Sequence, residues 1–128
     1  MRILLDTSAY SKLIQGDSTI IEIVSNASAV FMPSIALGEL LSGYYGGTRR
    51  AEMVGILESF LDSPTVKVLH ITAETAQHYA QVDQYLRKKG KPIPRNDIWI
   101  AAIALEHGLK LLAIDKHFHE IPMLLLRP

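Results

Sequence analysis

The chain has 128 residues, its 13 lysines and arginines balance its 13 aspartates and glutamates, and 48% of it is hydrophobic. These totals exclude a disordered polymer and give no whole-molecule pull toward an anionic partner. The absence of cysteine excludes disulfides and thiolate metal sites, so a bound metal must be held by oxygen or imidazole.

The most apolar runs are broken by Asp97, Glu106 and Asp115, and none reaches the length of a membrane span. "MRILLDTSAY" meets an acid too early for a signal peptide. The expectation is one soluble, cytoplasmic domain over residues 1–128, with no membrane partner.

In chain order, "RILLD" (Arg2 to Asp6) predicts a short buried strand ending in an acid. "TSAYSKLIQG" predicts a helix stopped at Gly16. "STIIEIVSNA" predicts a second helix with Ser18 as its N-cap. "AVFMP" is a strand closed by Pro33, and "SIALGELLSGYYG" a helix. "RRAEMVGILESFLD" is another, with Met53, Ile56, Leu57, Phe60 and Leu61 on one face. "VKVLHI" is a β-branched strand. "TAETAQHYAQVDQYLRKKG" is a long amphipathic helix between Thr72 and Gly90. "KPIPR" is a loop, and a helix runs from Asp97 to His107, with Asn96 as N-cap. "LKLLAI" is a buried strand, and "PMLLL" predicts one more. Strands alternating with helices predict an α/β domain with a mainly parallel sheet. In such sheets, sites form beyond the carboxyl ends of the strands.

Four acids occupy telling places. Asp6 and Asp115 each follow a predicted central strand. Glu39 lies on an apolar helix, and Asp97 heads another. Each has a plain structural explanation: Asp6 and Asp115 as caps of "TSAY" and "KHFH", Asp97 as a partner of the helix dipole, Glu39 as a solvated side chain. Together they point elsewhere. Two like charges about 4 Å apart repel by about 4 kcal/mol at an effective dielectric near 20. Four converging carboxylates therefore require protons or a cation. An all-oxygen cluster suits Mg2+ or Mn2+, which positions phosphate and activates water. His117 and His119 follow Asp115 closely, but an all-carboxylate set already suffices.

The stretches "LLDTSAY", "PSIALGELLSGYY" and "RNDIWIAAIALEHGLKLLAIDKHFHEI", with the terminal "LL", resemble the PIN-domain ribonucleases, and specifically the VapC-type toxins of toxin–antitoxin pairs. The resemblance runs essentially end to end. It implies a three-layer α/β/α sandwich with a central mainly parallel sheet. It also implies a Mg2+- or Mn2+-dependent endoribonuclease acting on single-stranded RNA, a homodimer, and silencing by a VapB-like antitoxin. Carried over position by position, it places the metal and catalytic acids at Asp6, Glu39, Asp97 and Asp115. Thr7 or Ser8 supplies the supporting hydroxyl, and Asn96 supports the third acid. One position departs: where many relatives have Thr or Ser two residues before the last acid, this chain has Ala113 and lacks a hydroxyl that would order solvent or phosphate.

In that reading, Glu39 either binds the metal or orients the attacking water. The basic tract Arg87, Lys88, Lys89, Lys91 and Arg95 runs up to Asp97. It either grips the RNA backbone or, in its first three residues, complements a helix end. Arg49 and Arg50 are weaker RNA candidates. Tyr44 and Tyr45 are expected in the core or a dimer contact, Trp99 and Phe118 in the core. The alternative function is a catalytically weak or inactive module of the same fold, acting by protein or RNA binding. A phosphoryl-accepting receiver domain would need paired acids after the first strand, and an aspartyl phosphatase would need Asp-x-Asp; "LLDTS" has neither.

Overall fold

The computed structural model describes residues 1–127, the last three by their backbone alone. The elements are β1 (Arg2–Leu5), α1 (Thr7–Ile14), α2 (Ser18–Asn26), β2 (Ala29–Pro33), α3 (Ser34–Tyr45), α4 (Arg50–Leu61), β3 (Val66–Leu69), α5 (Ala73–Lys89), α6 (Arg95–His107), β4 (Lys110–Leu112), a 3-10 turn (Lys116–Glu120) and β5 (Leu125–Arg127). The five strands form one sheet in the order β3-β2-β1-β4-β5, and every pairing is parallel.

The hydrophobic residues of β1 explain why helices cover both sheet faces. Ile3, Leu4 and Leu5 are all buried, as expected of a parallel strand with no solvated side. Successive side chains point to opposite faces. Leu4 joins Val82, Leu86, Ile98, Ile103 and Phe118 beneath α5 and α6. Ile3 and Leu5 join Ala9, Ile20, Ile23 and Val30 beneath α1 and α2. Leu111 and Leu112 of β4 divide in the same way. A third cluster ties Tyr10 of α1 to Met32, Ala36, Leu40 and Leu57, holding α3 and α4 to the second face. The result is an α/β/α sandwich.

The strand order places the functional region. From β1 the chain builds outward through β2 to β3. It then returns across the sheet to add β4 on the other side of β1. The switch between these two directions lies at the β1–β4 pair, where a crevice opens beyond the carboxyl ends.

Several local expectations are corrected. The cap of α2 is Asp17, whose carboxylate accepts from the Ile20 N–H at 3.1 Å, and not Ser18. The last helix begins at Arg95, behind Pro94, so Asn96 is its second residue and Asp97 its third. β3 stops at Leu69 and β4 at Leu112, shorter than "VKVLHI" and "LKLLAI". Trp99 is half-buried and stacks on Tyr79 of α5 with 4.1 Å between ring centroids. Tyr45 is exposed, with the Arg50 guanidinium 3.6 Å from its ring centroid. Phe118 is fully buried. Among the described residues, no helix is long and apolar enough to cross a membrane.

Candidate metal centre

Four different elements deliver the acids to one place. Asp6 follows β1 and caps α1, accepting the Ala9 N–H at 2.7 Å. Asp115 follows β4 and caps the 3-10 turn, accepting the His117 N–H at 2.9 Å. Glu39 projects from α3 and Asp97 from the first turn of α6. All four line a cavity of about 350 Å³, with Thr7, Ser8, Pro94, Asn96, Ile100 and His117. Both plain cap readings are therefore correct for Asp6 and Asp115, and both residues also face the cavity.

Supporting polar groups fix the carboxylates. The Ser8 hydroxyl donates to Asp6 at 2.9 Å from Oδ2. The Thr7 hydroxyl donates to Glu39 Oε1 at 2.8 Å, and the Asn96 side-chain amide donates to Glu39 Oε2 at 2.8 Å. Glu39 is thus held at both oxygens, from α1 and from α6. Asn96 supports the second acid and not Asp97, its neighbour in sequence. His117 Nδ1 lies 2.9 Å from Asp97 Oδ2 and 3.1 Å from Asp115 Oδ1.

The charges strain one another. Asp6 is 4% exposed; burial, aided by Asp97 and Asp115, pushes its carboxyl up to about 6 against the pull of Ala9 and Ser8. Asp97 is also raised, mainly by burial and further by Asp115 and Glu39, while its bond to His117 lowers it. The same bond raises His117. Desolvated carboxylates that destabilise each other's charge form a site waiting for positive charge.

The basic tract behaves differently. Arg87 pairs with Asp83 at 2.9 Å, and Lys89 with Glu120 at 3.1 Å. Lys88, Lys91 and Arg95 are exposed and carry no ion pair among the described residues. None of the five lines the acidic cavity. Arg87 and Arg95 instead border a neighbouring hollow of about 240 Å³, floored by Leu86 and Ile98. Ala113 packs against the α5–α6 core.

Sequence reasoning undervalued His117. The signal was present as a histidine two residues after a strand-end acid. Only the folding of the 3-10 turn brings its ring against Asp97, twenty residues away.

Comparison with known proteins gives the same frame. Ribonuclease VapC1 of Haemophilus influenzae (strain R2866) is 32% identical over 91 residues, which cover 70% of this chain and 66% of the relative. The matched stretch therefore spans just under two thirds of that relative. A chain in the structure of VapBC-1 from nontypeable Haemophilus influenzae superposes with a TM-score of 0.87 at 30% identity, covering 99% of this chain and 97% of that one. A chain of VapBC2 from Rickettsia felis, bound to a promoter DNA fragment, shares the fold with a TM-score of 0.88 at 23% identity. The model of the PIN domain matches residues 3–124. With that match running from the second residue of β1 to the buried Leu124, the chain belongs to the PIN-domain family.

Proposed function

We propose that this chain is a metal-dependent endoribonuclease toxin, neutralised by a VapB-like antitoxin, with residues 1–128 forming one PIN-like domain. The observation that carries the reading is the convergence of Asp6, Glu39, Asp97 and Asp115 at the carboxyl ends of β1 and β4. Its similarity to Ribonuclease VapC1 and to a chain of the VapBC-1 structure supports ribonuclease activity, RNA as substrate and the antitoxin partner. A homodimer is proposed on the family resemblance alone.

The donor set fits a hard divalent cation, Mg2+ or Mn2+: carboxylate oxygens dominate, and no thiolate is present. Asp97 and Asp115 would hold the ion, with Asp6 at the buried floor. When bound, such an ion offsets the charge of the phosphodiester and acidifies a water. The chain's own groups do the positioning. Glu39, clamped by Thr7 and Asn96, accepts a hydrogen bond from the attacking water and sets its direction. Water adds to phosphorus as it loses a proton to the Glu39 carboxylate, the bridging P–O bond breaks, and the leaving oxygen takes a proton from solvent. Ser8 keeps Asp6 in the rotamer that faces the cavity. Lys88, Lys91 and Arg95, which carry no ion pair among the described residues, offer exposed cations outside the acidic cavity to the RNA backbone.

The test is to map cleaved ends in total cellular RNA after a short induction, wild type against Asp97→Asn. New ends are expected with the wild type alone. If Asp97→Asn yields the same ends, the assignment of the centre falls. If neither yields any, a non-catalytic module is left.

A further inference from the structure

We propose that His117 is a nitrogen ligand of this centre, and that it tilts the site toward a first-row transition cation, Mn2+, over Mg2+. The inference rests on the metal-centre reading above and extends it to a residue outside the four acids.

The first ground is geometric. One donor atom each from Asp97, Asp115 and His117 lies within 4.8 Å of the others. His117 Nδ1 stands 2.9 Å from Asp97 Oδ2 and 3.1 Å from Asp115 Oδ1. Adjacent donors about 2.1 Å from a common octahedral ion lie about 3.0 Å apart. The two measured separations match that spacing once Nδ1 gives up the proton it shares with Asp97.

The second ground is how the ring is held. Its residue sits in the first turn of the 3-10 helix, where its own N–H bonds to Asp115 Oδ1 at 2.9 Å. The next residue, Phe118, is buried in the core and anchors the turn. Backbone and ring thus address the same carboxylate from one fixed turn. The side chain remains 45% exposed, leaving a solvent side through which an ion and its remaining waters can enter.

The third ground is donor chemistry. Mg2+ demands oxygen and gives up water reluctantly. Imidazole is at home with transition metals, and at mixed nitrogen–oxygen sites their affinity rises along the first row from Mn2+. Replacing one oxygen by Nδ1 costs Mg2+ more than it costs Mn2+.

The full chain is titrated with Mn2+ and followed by electron spin resonance, with Mg2+ as competitor. Spin-echo modulation from a coordinated nitrogen is expected in the wild type and is lost in His117→Gln. The ratio of Mn2+ to Mg2+ affinity should fall about tenfold or more in that variant, the usual scale for groups that build a metal site. His117→Asp should recover binding while shifting the ratio toward Mg2+. Bound Mn2+ without nitrogen modulation in the wild type overturns the proposal, and so does an unchanged ratio in His117→Gln. If Asp97→Asn binds Mn2+ as tightly as the wild type, the underlying metal-centre reading fails instead. Thermal melts of each variant verify that the exposed position leaves the fold intact.

Discussion

Asp6 carries the clearest electrostatic cost in the molecule. Its carboxyl is moved from 3.8 to about 6, above all by burial. A carboxyl raised in the folded state favours folding when protonated. That contribution is complete below pH 3.8 and is lost as pH rises through about 6. A shift of this size corresponds to about 3 kcal/mol. Chelator-treated protein should therefore melt higher at pH 5 than at pH 7.5, with saturating Mn2+ narrowing or reversing the difference. Asp6→Asn retains an acceptor for the Ala9 N–H and should stabilise the metal-free form at pH 7.5 by about 1–3 kcal/mol. Calorimetric melts showing a loss of stability would contradict this. Tyr10 offers a second test. Its fully buried hydroxyl has no hydrogen-bond partner among the described residues, and burial pushes its pKa up to about 12. Tyr10→Phe removes an unpaid desolvation and should raise stability by about 1 kcal/mol in urea unfolding.

Among the elements, α5 was the most legible and α6 the least. Thr72 and Gly90 bound α5 as expected, because its capping box and left-handed Gly90 are local chemistry. The register of Thr75 was not foreseeable. Its buried hydroxyl donates to Glu106 Oε1 at 2.5 Å and accepts the Thr72 N–H at 3.0 Å, joining the start of α5 to the end of α6. Thr75→Val strands both partners and should cost about 1–3 kcal/mol in chemical denaturation. On α6, Asn96 has the better capping side chain, yet Pro94 stands at the cap with φ of −56°. The Asn96 amide is spent on Glu39, a long-range contact that outcompetes a local preference. β4 ends early because Asp115 must turn to cap the following 3-10 segment. His117 is undervalued in the sequence for a related reason: its partner Asp97 is near only in three dimensions.

At the scale of the whole molecule, alternation of strands and helices was enough to indicate a parallel α/β sheet. The order β3-β2-β1-β4-β5 was not, since no local residue encodes which side of β1 receives β4. The four acids were legible as residues but their convergence was a wager on that topology. With a net charge of zero, the proposed RNA binding has to rely on local cations. Lys91→Ala and Arg95→Ala should each weaken binding to single-stranded RNA and lower the slope of log affinity against log salt by about 0.7. Arg87→Ala, already paired with Asp83, should change it less; equal effects across the three would argue against this division of labour.

Asp6 and Asp115 each terminate a strand, start a helical turn and face the cavity with the same side chain. Scaffold and chemistry therefore cannot drift apart at these positions: an alanine there would unpick a turn as well as silence the centre, and its phenotype would be uninterpretable. Asparagine separates the two duties, preserving the turn while deleting the charge. It is the substitution by which an inactive, well-folded decoy of this chain should be made.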